Sequence, residues 1–263
     1  MAKKRIIPKL QLFPSKFIES KMAIVTTRQF ENIVEIGDPV SQAKIYEAQL
    51  ADELLVVDLS SSKFECKIEV KLDIISSISA EVFLPLTVGG GIRTLYDIEK
   101  LLSHGADKIS INSQALESPE FISEAANKFG SQCVVVNIDY KMNNNEELFV
   151  YGKGGKKEYE ISPIDWAIKV QELGAGEIHL TAIENDGKRL GLDLSVAKNI
   201  SEFITIPLIL SGGCGKASHF IDGFKIGGAD AIAAGTFFCY RDQNPMQARG
   251  HILNAGIKIR SAT

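Results

Sequence analysis

Eight short apolar runs alternate along the chain with longer amphipathic stretches, and this alternation restricts the possible folds more than any other feature of the sequence. The runs are RIIPKL, LLVVDL, LPLTVG, DKISIN, CVVVNID, EIHLTAI, IPLILSGG and DAIAAGTFF. Apolar runs without alternation are typical of parallel strands that are buried on both faces. The stretches between them, such as LYDIEKLLSHG, have helical periodicity. The pattern predicts an α/β protein, either a (β/α)8 barrel or a doubly wound open sheet.

An internal repeat favours the barrel. VGGGI in the first half is matched by LSGGCG in the second, and GADKISIN is matched by GADAIAAG. Equivalent residues are 123 positions apart in three cases: Gly89 and Gly212, Ala106 and Ala229, and Asp58 and Thr181. Motifs repeated at one offset predict a TIM barrel made of two similar half-barrels, each with four strand–helix units.

The barrel is predicted to be a single domain over residues 1–263 with one insertion. Residues 137–162 interrupt the alternation of strands and helices, and their clusters of Asn and Gly are typical of turns. We expect a hairpin at about 140–160, after the fifth strand and over the mouth of the barrel.

Charge, hydropathy and cysteine usage exclude several classes of protein. A net charge of −4 without a basic block argues against nucleic-acid binding. No signal-peptide pattern opens the chain, and no apolar stretch approaches the roughly 20 residues that span a bilayer. The cysteines at 66, 133, 214 and 239 form no metal-type pair and are typical of reduced thiols. We expect a cytoplasmic protein without metal, cofactor or membrane contact.

Glycine-rich motifs follow two strands at symmetric positions, GGG after the third and SGG after the seventh. Ligands of (β/α)8 barrels bind at the C-terminal ends of the strands, where glycine amides, hydroxyls and helix N-termini can hold phosphate. Tight turns into helices are the alternative explanation. Because there are two such motifs, we predict two phosphate sites and a long substrate with one phosphate at each end.

Charged residues lie at both ends of the predicted strands. Asp58, Asp139 and Asp186 end or follow strands, where a carboxylate can act as a general base or cap the next turn, and position favours Asp139 as the base. Four other residues begin their strands and are predicted to form a ring at the opposite end, which is either a salt-bridge plug or a gate: Arg5, Glu53, Lys108 and Glu177.

Taken in order, DELLVVDL, TVGGGIR, GADKISIN, GAGEIHLT and SGG resemble the cyclase subunit of imidazole glycerol phosphate synthase over essentially the whole chain. The resemblance implies a barrel that pairs with a glutaminase subunit of the class I amidotransferase type. Ammonia then crosses the barrel interior and closes an imidazole ring on a bis-phosphorylated ribulosyl aminoimidazole carboxamide. The family's gate positions match Arg5, Glu53, Lys108 and Glu177. Its phosphate-binding positions match Gly90, Gly91, Asn112, Asp186, Gly187, Ser211, Gly212, Gly213, Gly235 and Thr236.

The first strand departs from this family. Of the family's two catalytic aspartates, the one that ends the fifth strand matches Asp139, but the one that ends the first strand falls on Gln11. Glutamine cannot take a proton as a general base. The family's Asp-Gly turn is replaced by PSKFIESKMAIVTTRQF, in which Thr26 aligns best with the expected mobile-loop lysine.

The barrel interior is also altered. Counting by twos from Arg5 and Glu177 places Lys9, Gln11 and His179 on the interior face, and counting back from Asp139 adds Asn137. A buried lysine must find a partner or lose its charge. These residues form either a satisfied hydrogen-bonded network or a site where Lys9 or His179 performs the proton transfer that Gln11 cannot.

Three functions are consistent with the sequence. The first is ring closure with an unusual first strand. The second is that of a paralogue that passes ammonia to a separate enzyme, which forms acetamidino groups on a cell-surface polysaccharide sugar, and Pro8 and Gln11 favour it. The third is a non-catalytic scaffold for the glutaminase, which predicts degraded phosphate motifs, whereas both motifs are intact here.

Overall fold

The computed structural model of the protein describes residues 3–19, 21–60, 68–239 and 243–260. The strands, in chain order, are β1 (Arg5–Pro14), β2 (Met22–Arg28), β3 (Glu31–Gly37), β4 (Leu54–Asp58), β5 (Leu86–Gly89), β6 (Lys108–Ile111), β7 (Val134–Met142), β8 (Leu148–Gly152), β9 (Lys157–Tyr159), β10 (Glu177–Ala182), β11 (Leu208–Ser211) and β12 (Ala231–Ala234). The helices are α1 (Pro39–Ala48), α2 (Ile68–Glu81), α3 (Leu95–Ser103), α4 (Ser113–Glu117), α5 (Glu120–Phe129), α6 (Pro163–Glu172), α7 (Leu194–Phe203), α8 (Ala217–Lys225) and α9 (Pro245–Asn254). In the described ranges, no helix has the length and apolar character needed to cross a membrane.

Eight parallel strands close into a barrel. β1 pairs with β12 on one side and β4 on the other, the series continues through β5, β6 and β7, and β7 pairs with β10 to complete the circle through β11. The prediction of a (β/α)8 barrel is confirmed, and the open sheet is the wrong alternative. β10 begins 123 residues after β4, and β12 begins 123 residues after β6, so strand starts keep the spacing of the sequence repeat.

Apolar side chains pack on both faces of the barrel strands. A small apolar cluster occupies its interior, formed by Ile7, Leu55, Val135, Ile209, Ala231 and Ala233. The larger core lies between the outer face of the strands and the surrounding helices. Cys133, Cys214 and Cys239 form no disulfide with one another, and Cys66 lies outside the described residues.

Two antiparallel hairpins extend from the barrel at its mouth. β8 and β9 continue from β7 through residues 148–159, and β2 and β3 continue from β1. The second hairpin was not anticipated from the sequence. Gln29 and Phe30 form its two-residue turn with positive φ values of 54° and 63°, a turn that normally selects Asn or Gly. Phe30 lies against Gly155 of the other hairpin, where an added Cβ would be 3.3 Å from its ring.

Glycine is required at the ends of β5 and β11 by close backbone packing. Gly90 has a φ of +95°, and a Cβ there would lie 2.2 Å from the carbonyl oxygen of Asp58. Gly213 has a φ of +98°, and a Cβ there would lie 2.1 Å from the carbonyl oxygen of Gly191. Both positions therefore need glycine for the turn itself, whether or not a ligand binds.

Replacing Gly90 by Ala is expected to lower the free energy of unfolding by at least about 2 kcal/mol, because the side chain would combine an unfavourable φ with a backbone clash. Urea unfolding of the purified variant measures this loss. Gly37→Ala is the matched control, because no atom lies within 4 Å of the added Cβ, and its effect should stay within about 1 kcal/mol. Equal unfolding free energies for the two variants would contradict the packing argument.

Candidate functional site

A cavity of about 960 Å³ opens at the C-terminal ends of the strands. We call it the upper cavity. Its floor is formed by interior side chains of the barrel strands. Its walls are formed by the glycine turn after β5, the start of α4, the β8/β9 hairpin and residues 29–33 of the β2/β3 hairpin. The residues that line it include Lys9, Gln11, Asp58, Gly90, Gly91, Arg93, Asn112, Asn137, Asp139, Lys153, Lys156 and His179.

The first cradle, defined as Gly90, Gly91 and Asn112, faces this cavity. Gly90 is half-buried and Gly91 is exposed. Lys71 of α2, which the sequence analysis did not single out, donates a hydrogen bond to the carbonyl oxygen of Gly90 and so holds the turn in place. Its Nζ also lies 3.8 Å from Oδ2 of Asp58.

Asp58 is engaged in the turn after β4. Its Oδ1 accepts hydrogen bonds from the backbone amide of Ser60 at 2.9 Å and from the Ser60 hydroxyl at 2.6 Å. With Lys71 beside Oδ2, this carboxylate has partners on both oxygens. Of the roles that the sequence left open for Asp58, the geometry favours capping the turn over acting as a base.

The second cradle is defined as Asp186, Gly187, Ser211, Gly212, Gly213, Gly235 and Thr236. Ser211, Gly212 and Gly213 are buried, and the Gly191 amide donates to the Gly213 carbonyl oxygen at 2.9 Å. The β2/β3 hairpin covers Gly187, where an added Cβ would lie 2.1 Å from the Thr27 carbonyl oxygen. Within the described ranges, none of these seven residues lines the upper cavity. The structure therefore does not bring the two cradles together in one cavity.

A hydrogen-bonded chain links the first strand to Asp186. Gln11 donates from Nε2 to Oγ1 of Thr27 at 3.2 Å, and the Thr27 hydroxyl donates to Oδ2 of Asp186 at 2.8 Å. Nζ of Lys9 lies 3.7 Å from Oδ1 of the same carboxylate. Gln11 thus anchors the β2/β3 hairpin, and both oxygens of Asp186 face partners within the protein.

Thr27 is the residue of this chain that sequence reasoning missed. Thr26, the predicted counterpart of the mobile-loop lysine, is half-buried in β2, and its neighbour Thr27 is the one that joins Gln11 to Asp186. The signal was present in the sequence: two β-branched runs, MAIVTTR and ENIVEIG, are separated by two residues, a spacing typical of a hairpin.

Asp139 ends the interior part of β7 at the cavity floor and is buried. Its Oδ2 accepts a hydrogen bond from Nδ2 of Asn112 at 3.2 Å. Among the described residues, its Oδ1 has no hydrogen-bond partner. Burial raises the pKa of Asp139 to about 7, even though the side chain of Asn137 and the positive charge of Lys9 oppose the rise. A carboxyl group with this pKa can both accept and donate a proton near neutral pH.

His179 on β10 is buried beneath Asp139. Burial, together with the positive charge of Lys9, lowers the pKa of His179 to about 3, so its imidazole is neutral at physiological pH. Its Nε2 has no hydrogen-bond partner in the part of the chain that the structure describes. The predicted interior network is therefore only partly satisfied, with Asp139 and His179 each retaining an unpaired polar atom.

The four residues predicted at the opposite end meet in a closed ring, which we call the lower ring. Arg5 donates to Glu53 at 2.7 Å and to Glu177 at 3.0 Å, and Nζ of Lys108 lies 3.1 Å from Glu53 and 3.0 Å from Glu177. Thr87 adds a hydrogen bond to Glu53 at 2.6 Å. Despite burial, the attraction of Glu177 and Glu53 raises the pKa of Arg5. Each charge thus has two opposite neighbours.

A narrow void that is too small to hold a water molecule lies in the barrel between the lower ring and the upper cavity. Its walls are mainly apolar, formed by Ile7, Leu55, Val135 and Ile209, with Glu53 and Thr87 from the lower end. His179 lines both this void and the upper cavity. The two ends of the barrel are thus separated by one layer of side chains at His179.

The pKa of Asp139 predicts a pH-dependent stability. An unfolded Asp titrates near pH 3.9, so raising the pKa to about 7 makes the folded state lose stability as the pH rises from about 4 to about 7. Asp139→Asn removes this loss. The difference between the unfolding free energies of the variant and the wild-type protein should therefore shift in favour of the variant by on the order of 2 kcal/mol between pH 5 and pH 8. Urea unfolding at both pH values measures the change.

Asp73→Asn, which removes an exposed carboxylate of α2, is the control for that measurement and should follow the wild-type protein at both pH values. Parallel pH profiles for Asp139→Asn and the wild-type protein would show that Asp139 does not titrate in this range.

Comparison of the sequence with known proteins places this chain in a family. Residues 5–243 match the family model described as "Histidine biosynthesis protein". A relative from Prochlorococcus marinus (strain MIT 9313), named "Putative imidazole glycerol phosphate synthase subunit hisF2", is 48% identical over 261 residues, which cover 99% of each chain. The chain therefore belongs to the histidine biosynthesis protein family, and within that family it resembles the cyclase subunit of imidazole glycerol phosphate synthase.

Proposed function

We propose that this chain is a synthase subunit that receives ammonia from a glutaminase of the class I amidotransferase type and uses it on a bis-phosphorylated ribulosyl aminoimidazole carboxamide in the cytoplasm. The observation that carries the proposal is the single axis of the barrel. It runs from the charged lower ring through an apolar void to an acid–base group at the floor of a large cavity. The apolar walls of the void penalise charged species and favour a neutral molecule such as ammonia, whose passage requires the surrounding side chains to move.

The cavity wall supports the binding of a phosphorylated ligand. The glycine turn of the first cradle presents backbone at the cavity surface, and Arg93, Lys153 and Lys156 line the same space. Backbone amides and cations together favour a phosphate group. A ligand that also reaches the second cradle would extend beyond the upper cavity to its half-buried residues Gly187, Gly235 and Thr236. The phosphate roles of both cradles belong to this proposal.

The acid–base role falls to Asp139. Its pKa of about 7 suits proton transfer near neutral pH, whereas Gln11 can only donate and accept hydrogen bonds. A neutral His179 can accept a hydrogen bond from ammonia but is a weak base. Of the two interior candidates for the missing proton transfer, Lys9 is therefore the better one.

The lower face supports a protein partner. Large apolar side chains are exposed where helices end and lead into the strands, on the same face as the lower ring: Phe83, Phe203, Ile226 and Leu253. Phe83 is 96% exposed. Exposed apolar residues around a charged centre are typical of an interface with a second subunit. A glutaminase bound here would deliver ammonia directly to the lower ring, which would then act as its gate.

The chemistry is tested with the purified chain, excess ammonium salt and the bis-phosphorylated substrate, by following formation of imidazole glycerol phosphate. We expect turnover by the wild-type chain. Asp139→Asn should lower it by roughly 10²–10⁴-fold, the usual contribution of a general acid or base. No turnover, with substrate binding shown separately by calorimetry, would contradict ring closure and leave ligand binding intact.

The gate is tested by comparing glutamine-dependent turnover, in the presence of the glutaminase, with turnover on ammonium salt. Lys108→Met leaves Glu53 and Glu177 with Arg5 as their shared cation, so the ring should open or rearrange. We expect glutamine-dependent turnover to fall by roughly tenfold, with little change on ammonium salt. Lys128→Met, which breaks a surface ion pair with Glu99, is the control. Equal losses with both nitrogen sources would argue against a gate.

A second function is favoured by Gln11. Gln11 occupies the position of the family's catalytic aspartate, and its amide donates a hydrogen bond to Thr27. A paralogue that passes ammonia to a separate amidating enzyme still needs the lower ring and the void as a path for ammonia. It does not need a base for ring closure. Formation of an acetamidino sugar by the complex, without imidazole formation, would identify this function.

A further inference from the structure

Lys9 is paired less closely with an anion than the lysine of the lower ring is. Its side chain is only 7% exposed, and that exposed part faces the upper cavity. Within the part of the chain that the structure describes, its nearest anion is Oδ1 of Asp186 at 3.7 Å, which is longer than a hydrogen bond. Nζ of Lys108, in contrast, lies 3.1 Å and 3.0 Å from two carboxylates.

A mostly buried ammonium group without a close ion pair is costly, and the structure does not require Lys9 to anchor the β2/β3 hairpin. The opposite oxygen of Asp186 is already bound by Thr27 at 2.8 Å, so the hairpin stays anchored without help from Lys9. The floor around Lys9 instead holds two groups with unpaired polar atoms, Asp139 and His179. These are the surroundings of a reactive amine, because they leave room for a ligand atom to bond there.

We propose that Lys9 is a covalent nucleophile that forms an imine with a carbonyl carbon of the ligand, a phosphorylated keto sugar derivative. Lysine is the side chain that forms Schiff bases with carbonyl substrates, and Lys9 lines the cavity in which such a ligand would bind. The first cradle would bind the phosphate at one wall, with the carbonyl group at the floor. This inference rests on the proposed function for the origin of the ammonia. Formation of the imine itself needs no ammonia.

The reaction balances with the groups present. Asp186 takes a proton from Lys9, and the neutral amine adds to the carbonyl carbon, whose π electrons move to oxygen. Proton transfer from nitrogen to oxygen, with Asp139 as the acid, then releases water and leaves a protonated C=N bond. Ammonia adds to that carbon and displaces the amine of Lys9, which gives the substrate imine and regenerates the lysine. No electron acceptor or donor is consumed.

The position of His179 fits the last step. Ammonia that enters from the void meets His179 first, and an unpaired Nε2 on a neutral ring can accept a hydrogen bond from ammonia without protonating it. Ammonia held there approaches the floor of the cavity from the side opposite the ligand. The imine carbon is a better electrophile for it than a ketone, since a protonated C=N bond already carries positive charge.

Reduction of the imine tests the proposal without any turnover. The full chain is incubated with sodium cyanoborohydride and either the bis-phosphorylated ribulosyl substrate or dihydroxyacetone phosphate. Reduction converts the imine to a stable secondary amine, so the intact mass should rise by the mass of the ligand less one oxygen atom. Peptide mapping should place the modification on Lys9. Lys9→Arg, which keeps the charge but cannot form the imine, should lose the adduct by at least roughly tenfold, whereas Lys44→Arg on the surface should retain it.

The outcomes separate this proposal from the proposed function. A wild-type chain without an adduct on Lys9 for either ligand overturns the imine, even where ammonium salt supports turnover. An adduct that persists in Lys9→Arg overturns it as well. An adduct on Lys9 without imidazole product supports the imine and contradicts ring closure. Should Lys9→Arg fail to fold by circular dichroism, the peptide map of the wild-type chain decides the question alone.

Discussion

Closure of the parallel sheet is the constraint on which the rest of this structure depends. The pairing of β7 with β10, together with that of β1 with β12, leaves no free edge in the barrel. Because all eight strands run in one direction, their C-terminal ends meet at one mouth and their N-terminal ends meet at the other. Residues far apart in the chain, such as Arg5 and Glu177, become neighbours without any local interaction between them.

Buried charged groups are paired more closely at the lower end of the barrel than at the upper end. In the lower ring each charged group faces two opposite charges, and the desolvation cost of burial is offset by short ion pairs. At the upper end the offset is incomplete: Lys9 is 3.7 Å from its nearest anion, and burial raises the pKa of Asp139 to about 7. A buried carboxyl group whose pKa is shifted as far as that of Asp139 is typical of sites that perform chemistry rather than of sites that only stabilise the fold.

Duplication of the sequence does not produce equal access to the two halves. The glycine turns after β5 and β11 have similar φ values and similar backbone clashes, so they repeat one local structure. The β2/β3 hairpin breaks the symmetry, because Thr27 and Gln29 contact the loop after β10 and no second hairpin covers the turn after β5 among the described residues. The first cradle therefore opens into the upper cavity, while the second lies outside that cavity and is partly covered.

The sequence by itself determined the barrel, its repeat, the lower ring and the interior position of Lys9, Gln11 and His179. These follow from apolar runs and from the alternation of side chains along a strand, which are local and periodic properties. Only the tertiary structure decided that Gln11 anchors a hairpin through Thr27, that Lys71 holds the turn at Gly90, and that Asp139 and His179 keep unpaired atoms. Those features depend on distances between distant segments and on burial, and neither is encoded in the spacing of residues along the chain.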